Sequence, residues 1–252
     1  MTPGSQVLVS ASGLTKVFSA RKRGKIRAVD DVSFEAHSGE IFGLLGINGA
    51  GKTTTLRLLA TMLRPTGGEA SVCGHSIAKE PQSVRRNIGF MSTATSLYGR
   101  LSAKEMVTYF GRLNGMGAEA IEKRAQELFD LFSMNEFLNR RCDKLSSGMK
   151  QKVSIVRTVL HDPQVMIFDE PTAGLDVLTS RTIVDFVKDC RNRGKCVLFS
   201  THIMEEVEKL CDRVGVIHDG KLLDCETVET LKTRTPSGRV EDAFVSLVGE
   251  PA

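Results

Sequence analysis

The residues best suited to chemistry form a glycine-rich run that ends in a lysine and a hydroxyl, G-I-N-G-A-G-K-T at 46–53. It lies between an apolar segment of strand length and a segment with helical spacing. Glycines let backbone N–H groups curl around phosphate oxygens, and the following helix directs its positive end at them. In this pattern Lys52 reaches the β- and γ-phosphates and the Thr53 hydroxyl holds Mg²⁺. We therefore predict a nucleoside triphosphate site formed by Gly46, Ile47, Asn48, Gly49, Ala50, Gly51, Lys52, Thr53 and Thr54.

Two adjacent carboxylates, Asp169 and Glu170, follow the apolar run V-M-I-F. Hydrolysis of a phosphoanhydride needs one carboxylate that positions Mg²⁺ and a second that activates water. An acidic pair at a strand end can also merely cap a turn, but the phosphate loop favours the catalytic interpretation. We assign Asp169 to the metal and Glu170 to the attacking water. His202 follows another apolar run, where a histidine is usually structural; beside a γ-phosphate it would sense or stabilise charge.

The segments around these residues predict an α/β fold. Two apolar runs of strand length, 165–169 and 196–200, flank a helical stretch, which is typical of a parallel α/β sheet. V-L-V-S and V-S-F-E-A near the start alternate like half-buried strands. From about 102 to 160 the pattern is helical and begins with the capping box S-A-K-E. Two apolar stripes there should be core: Met106, Tyr109, Phe110 and Leu113, then Ile121, Ala125, Leu128 and Phe132. A short linker and an amphipathic turn are expected at the end.

The composition of the 252 residues, 41% hydrophobic and 25% charged, is ordinary for a soluble globular protein of one domain with a lobe, or two small domains. A net charge of +4 does not by itself indicate nucleic acid. The basic run at 21–27 is either a solvated loop or a contact with an anionic membrane or an acidic partner. Six cysteines without C-x-x-C spacing indicate reduced thiols in a cytosolic protein. We expect no signal peptide and no membrane span.

A third motif, L-S-S-G-M-K-Q-K at 145–152, resembles the L-S-G-G-Q signature that precedes the acidic pair in ABC ATPases. With F-D-E-P-T-A-G-L-D and S-T-H, it makes the chain, from about Leu14 to Leu231, resemble an ABC transporter nucleotide-binding subunit. The resemblance implies a P-loop NTPase core with a parallel sheet, an N-terminal antiparallel β subdomain and an inserted α-helical subdomain. The implied ABC domain is 7–232, with core segments 7–91 and 163–232, the helical subdomain at 92–162 and a short tail at 233–252.

The resemblance also implies ATP and Mg²⁺ as cofactors and a set of contacts to them. Phe18 would stack on adenine and Val29 would flank the same ring. Two subunits would pair head to tail, so that Ser146 and Gly148 face the γ-phosphate of the partner's ATP. Asp176 would lie at that interface.

Two stretches depart from the family pattern. The signature has Ser147 for glycine and Met149 for glutamine, a modest change unless the serine needs a positive φ. In M-S-T-A-T-S-L-Y at 91–98, Ser92 stands at the usual proline and Thr93 at the glutamine that normally reaches Mg²⁺ and the attacking water. Threonine reaches the metal only through water. Three interpretations remain: a tolerated substitution, a slow ATPase that needs its membrane partner, or ATP binding without useful turnover.

The leading hypothesis is an ATP-binding and ATP-hydrolysing subunit that powers export through a separate integral membrane permease. It would act as a homodimer, or with a paired ATPase subunit, in the cytoplasm at the cytoplasmic face of the cell membrane, without nucleic acid. Sodium-efflux and drug-efflux ATPases of the ABC-2 type are similar. Tyr98, Leu101 and the helix from Ser102 are either the docking surface or lobe core. The alternatives are a soluble ABC ATPase in cluster assembly or another non-transport role, and a non-catalytic binding module, which Glu170 and His202 disfavour.

Overall fold

The computed structural model describes residues 6–20, 24–92 and 96–249. Thr93 and residues 21–23 of the basic run lie outside the described residues. The strands are β1 Val7–Ala20, β2 Gly24–His37, β3 Ile41–Leu45, β4 Gly67–Val72, β5 His75–Ser76, β6 Ile88–Ser92, β7 Val165–Asp169, β8 Cys196–Thr201, β9 Arg213–His218 and β10 Lys221–Thr227. The α-helices are α1 Lys52–Leu59, α2 Pro81–Asn87, α3 Ala103–Leu113, α4 Ala118–Leu131, α5 Ser147–Val159, α6 Val177–Asn192, α7 Met204–Leu210, α8 Val228–Thr233 and α9 Val240–Val248. Short 3-10 turns cover Asn135–Phe137 and Cys142–Lys144.

The centre of the protein is a sheet in the order β10-β9-β3-β8-β7-β6. Its strands are parallel except for β10, which forms an antiparallel hairpin with β9. Every residue of β3, β7 and β8 is buried, as their short apolar runs predict for strands covered on both faces. Because these three strands are adjacent and parallel, their carboxyl ends meet at one edge of the sheet. The predicted α/β fold class is confirmed.

A second, antiparallel sheet in the order β2-β1-β4-β5 carries the N-terminal residues, as predicted. The long hairpin of β1 and β2 shares one hydrophobic cluster with α1 and one face of the central sheet. In that cluster Phe34 of β2 stacks on Phe42 of β3, with ring centroids 4.9 Å apart. This packing fixes β2 beside the loop that follows β3.

The helical lobe contains α3, α4 and α5. The predicted capping box is confirmed: Ser102 and Glu105 exchange side-chain and backbone hydrogen bonds at the start of α3. The stripe Ile121, Ala125, Leu128 and Phe132 is buried, as expected. The expectation that the α3 stripe is core is wrong for Tyr109 and Leu113, whose side chains are exposed. Helical spacing places these residues on one face but does not determine what covers it.

The end of the chain is more ordered than the predicted linker and turn. Helix α9 packs against α7 and α8 and buries Val240, Ala243 and Phe244. The Val240 N–H donates to Glu208 Oε1 of α7 at 2.8 Å. Among the described residues, no helix is long and apolar enough to cross a membrane.

Candidate functional site

The glycine-rich loop joins β3 to α1 and lies against neighbouring backbone. Gly51 has φ 112° and a Cβ there would lie 2.6 Å from the Ala28 carbonyl oxygen, so a side chain does not fit. Gly49 also has a positive φ, 86°, but faces open space. A cavity of about 130 Å³ lies over the loop; its walls are Ala28, Asn48, Gly49, Ala50, Gly51, Lys52, Thr53, Thr54 and Glu170. The backbone N–H groups of the loop and the start of α1 suit this cavity to phosphate.

Lys52 is buried in this loop and held by its carbonyl groups. Its Nζ donates to the carbonyl oxygens of Gly46 at 2.7 Å and Ile47 at 3.2 Å, and lies 3.5 Å from Glu170 Oε1. Burial lowers the pKa of Lys52, while the carboxylate of Glu170 acts in the opposite direction. The ammonium is therefore preorganised at the cavity with oxygen partners that a phosphate can replace.

Asp169 is 3% exposed and accepts hydrogen bonds from three hydroxyl groups. Thr53 Oγ1 donates to Oδ1 at 3.0 Å, Ser200 Oγ donates to Oδ1 at 2.8 Å, and Ser92 Oγ donates to Oδ2 at 3.0 Å. The two residues predicted to hold Mg²⁺, Thr53 and Asp169, are thus in direct contact. The contacts of Ser92 and Ser200 with Asp169 are not among those predicted from the sequence. Ser200 precedes the T-H pair at the end of a predicted strand, which was a usable signal.

Glu170 is held by backbone that few non-glycine residues adopt, with φ 51°. Its N–H donates to Ser200, both to the carbonyl oxygen at 3.2 Å and to Oγ at 3.1 Å. Its Oε1 lies 3.3 Å from His202 Nδ1 as well as close to Lys52. The Glu170 carboxylate therefore lies on the cavity wall between the Lys52 ammonium and the His202 imidazole, where it can accept a proton from water.

The signature residues are placed away from this chain's own cavity. Ser146 caps α5 by accepting from the Met149 N–H at 3.3 Å, and Ser147 begins the helix without a positive φ. The serine at position 147 is therefore compatible with the backbone. A Cβ added at Gly148 would lie 3.8 Å from Asp176 Oδ2, so the signature helix adjoins the start of α6.

Asp176 caps α6. Its carboxylate accepts from the Thr179 N–H at 2.9 Å and from the Thr179 hydroxyl at 2.8 Å. These hydrogen bonds lower the pKa of Asp176. The next two residues, Val177 and Leu178, are 82% and 78% exposed.

The two predicted adenine contacts differ in their surroundings. Phe18 on β1 is partly exposed, with Lys16 Nζ 5.2 Å from its ring centroid. Val29 is fully buried in the core, and the preceding residue, Ala28, lines the cavity. Successive side chains of a strand point to opposite faces. Two neighbouring residues of β2 can therefore differ, one lying at the cavity and the next lying in the core. Ala28 therefore lies at the phosphate cavity while Val29 is buried, and the contacts of Phe18 and Val29 with adenine stay predictions.

Comparisons with known proteins agree on one family. The family described as ABC transporter matches residues 29–173. The ABC transporter ATP-binding protein NatA of Bacillus subtilis is 40% identical over 240 residues, 95% of this chain and 97% of the relative. The doxorubicin resistance ATP-binding protein DrrA of Mycobacterium tuberculosis is 38% identical over 226 residues, 90% of this chain and 67% of the relative.

Solved structures give the same result. An ATP-binding subunit of an ABC transporter superposes with a TM-score of 0.85 at 28% identity, covering 95% of this chain and 99% of that one. The bacterial ABC transporter cassette MJ0796, in dimeric form, superposes with a TM-score of 0.81 at 27% identity, covering 87% and 98%. The same cassette is similar in a dimeric post-hydrolysis state bound to ADP and Pi.

Proposed function

The chain belongs to the ABC transporter family as an ATP-hydrolysing subunit that powers transport, and on this basis we propose that it drives export through a separate membrane subunit. The observation that carries the catalytic part is the position of Glu170 Oε1, which lies within 3.5 Å of both Lys52 Nζ and His202 Nδ1 at the phosphate cavity. DrrA, a similar protein, is named for doxorubicin resistance, which supports an exported cargo. Sodium ions remain a predicted cargo.

In the proposed reaction, each residue at the cavity has a distinct role. The loop N–H groups and Lys52 bind the β- and γ-phosphates of ATP. Glu170 accepts the proton of the water that attacks the γ-phosphorus, and His202 holds that carboxylate in place. Asp169 and Thr53, whose oxygen atoms suit a hard cation, would hold Mg²⁺, which neutralises phosphate charge when it is bound. The hydroxyl groups of Thr53, Ser200 and Ser92 keep the Asp169 carboxylate oriented.

A second copy of this chain, or a paired ATPase subunit, is the proposed partner at the cavity. Ser146 and Gly148 do not line the chain's own cavity, so their interaction with phosphate needs another subunit. Val177 and Leu178 are apolar and almost fully exposed beside Asp176, which favours burial against a partner. The dimeric cassettes among the similar structures support this arrangement.

The membrane subunit is proposed to dock on the helical lobe. Tyr98 and Tyr109 are exposed aromatic residues in edge-to-face contact, with ring centroids 5.8 Å apart, and Leu113 is 62% exposed on the same helix as Tyr109. Leu101 packs partly against the core and contributes less to this surface. In the sequence this patch begins six residues after Ser92, which donates to Asp169. The chain would then lie at the cytoplasmic face of the membrane.

The proposal is tested by the Mg²⁺-dependent ATPase rate of the purified chain across protein concentration. If two chains complete the site, the rate per chain should rise with concentration. Glu170→Gln should lower kcat by at least about 10²-fold while ATP still binds, because it removes the general base. The matched control is Glu119→Gln, an exposed carboxylate on α4, which should hydrolyse ATP like the wild type. A Glu170→Gln variant that remains fully active would contradict the assigned role.

The substitution at Thr93 is tested by restoring the glutamine. If the threonine is tolerated, Thr93→Gln should change kcat by less than about twofold. If the wild-type chain is a slow ATPase because the glutamine is missing, Thr93→Gln should raise kcat by about tenfold or more, the scale of one lost contact of about 1.4 kcal/mol. A wild type that binds ATP but hydrolyses it only with the membrane subunit present would favour the partner-dependent interpretation.

A further inference from the structure

Glu206 of α7 bridges two segments that carry the catalytic side chains. Its Oε1 accepts from the Thr172 hydroxyl at 2.5 Å, and its Oε2 accepts from the Thr201 hydroxyl at 2.5 Å. Both threonines are buried. Each carboxylate oxygen thus holds one threonine hydroxyl, so both segments are fixed to one side chain.

The two threonines lie directly beside the groups that act on ATP in the proposed function. Thr172 is two residues after Glu170, and the Ala173 N–H closes that turn on the Glu170 carbonyl oxygen at 3.3 Å. Thr201 immediately precedes His202, and its Oγ1 also accepts from the Ile203 N–H at 2.9 Å. The hydroxyl of Thr201 therefore fixes the turn that presents His202.

At the Thr172 end of this bridge the strand ladder has already ended, whereas Thr201 is the last residue of β8 and still pairs with Leu45 of β3. The pairing of β7 with β8 ends at Asp169 and Ser200, so the segment after Glu170 leaves the sheet. Gln151 Nε2 of α5 donates to the Pro171 carbonyl oxygen at 2.5 Å and holds that segment towards the lobe. Glu206 holds it towards β8 and α7. The hydrogen bonds of Gln151 and Glu206 thus flank the contact of 3.3 Å between Glu170 Oε1 and His202 Nδ1.

We propose that Glu206 is a positioning residue that holds Glu170 and His202 at the separation needed for hydrolysis. This inference rests on the proposed function, in which those two side chains act together at the γ-phosphate. Glu206 itself does not line the phosphate cavity, so it should affect turnover and not ATP binding. A misplacement of about 1 Å at a reacting group costs up to about 10²-fold in rate.

The test compares kcat, KM and ATP affinity for Glu206→Ala and Glu206→Gln. Glu206→Ala should lower kcat by about tenfold or more, with KM and the Kd of a fluorescent ATP analogue within about twofold of wild type. Glu206→Gln keeps the shape and can still hydrogen-bond both threonines, so it should recover kcat to within about threefold of wild type. The matched control is Glu205→Ala, which removes an exposed carboxylate from the same turn, where it pairs with Lys209 at 3.0 Å. That control should leave kcat unchanged.

Two outcomes would overturn the proposal. In the first, Glu206→Ala has the same kcat as Glu205→Ala. In the second, both Glu206 variants lose kcat, ATP affinity and Tm together, which indicates that Glu206 has a structural role only. If Glu206→Ala does not fold, Thr172→Val replaces it, since it removes one anchor at nearly constant shape. A lower kcat with unchanged Kd would then support the bridge, and an unchanged kcat would refute it.

Hydrogen–deuterium exchange separates this proposal from the proposed function, because it needs no turnover. The amides of 170–176 and 201–203 should exchange about tenfold faster in Glu206→Ala than in Glu205→Ala. Equal exchange in the two variants would refute the bridge even if the wild type hydrolyses ATP. A wild type without ATPase activity, combined with faster exchange in Glu206→Ala, would contradict the function and support the bridge.

Discussion

Replacing Ser92 with alanine removes the hydroxyl that donates to Asp169 Oδ2 at 3.0 Å. Asp169 is 3% exposed, so water does not readily replace a lost donor there. Among the described residues, Thr53 and Ser200 also donate hydroxyl hydrogen bonds to Asp169, both to the other oxygen, Oδ1, at 3.0 and 2.8 Å. Ser92→Ala therefore leaves one side of a buried carboxylate less well solvated than in the native protein.

The magnitude follows from the charge on the acceptor. A hydrogen bond to a charged group contributes about 1.5–3 kcal/mol to stability. For a chain of this size, each kcal/mol lowers the melting temperature by about 2–4 °C, so Ser92→Ala should lower Tm by about 3–12 °C. The measurement is thermal unfolding by circular dichroism at pH 7, without nucleotide and with a chelator to remove divalent cations.

The matched control is Ser96→Ala, an exposed serine four residues further along the same stretch. Exposed substitutions usually change stability by less than about 0.5 kcal/mol, so its Tm should shift by no more than about 2 °C. Equal melting temperatures for the two variants would show that Asp169 does not depend on Ser92. The assignment of Ser92 to the support of Asp169 would then be wrong.

Two further predictions concern the loop and the thiols. Gly51→Ala should weaken ATP binding by more than about tenfold and lower stability by about 1–3 kcal/mol, because Gly51 has a positive φ and a Cβ there would meet the Ala28 carbonyl oxygen. Gly49→Ala is the control: Gly49 also has a positive φ but faces open space, so this variant should lose less stability. Titration with a fluorescent ATP analogue and thermal melts measure both, and a Gly51→Ala variant as stable as Gly49→Ala would contradict the steric argument. At pH 8 the partly buried Cys73 and Cys225 should react with a thiol reagent in the folded protein, although slowly. The other four cysteines, which are buried, should react only after unfolding. Burial raises the pKa of Cys190 to about 11, so raising the pH to 9 leaves it protonated; rapid native labelling of Cys190, detected by mass spectrometry, would refute this.

The parts of the site that the sequence predicts are those with local signals. The glycine spacing and the apolar strands identify Lys52, Asp169, Glu170 and His202, and the order of β3, β8 and β7 brings them to one edge. Parallel strands separated by helices place their carboxyl ends together, so this convergence follows from the predicted fold class.

Other parts depend on contacts that sequence spacing does not encode. Ser92 and Asp169 are 77 residues apart, and Glu206 lies 34 residues from Thr172. A serine or glutamate with such a partner looks like any other polar residue before the fold is known. Periodicity also predicts which residues share one face of a helix, but not whether another element covers that face. For this reason Tyr109 and Leu113 of α3 are exposed although their spacing predicts core positions.

The support of the carboxylates bears on the altered loop. Ser200 donates to Asp169 and accepts from the Glu170 N–H, so the end of β8 holds the Asp169 carboxylate and the Glu170 backbone. Thr53 anchors Asp169 from α1, and Ser92 donates to it from the end of β6, directly before the position where threonine replaces glutamine. None of these three donors depends on a glutamine side chain at position 93. The geometry of Asp169 and Glu170 is thus set by α1, β6 and β8, and the effect of the substitution at Thr93 on turnover stays a prediction.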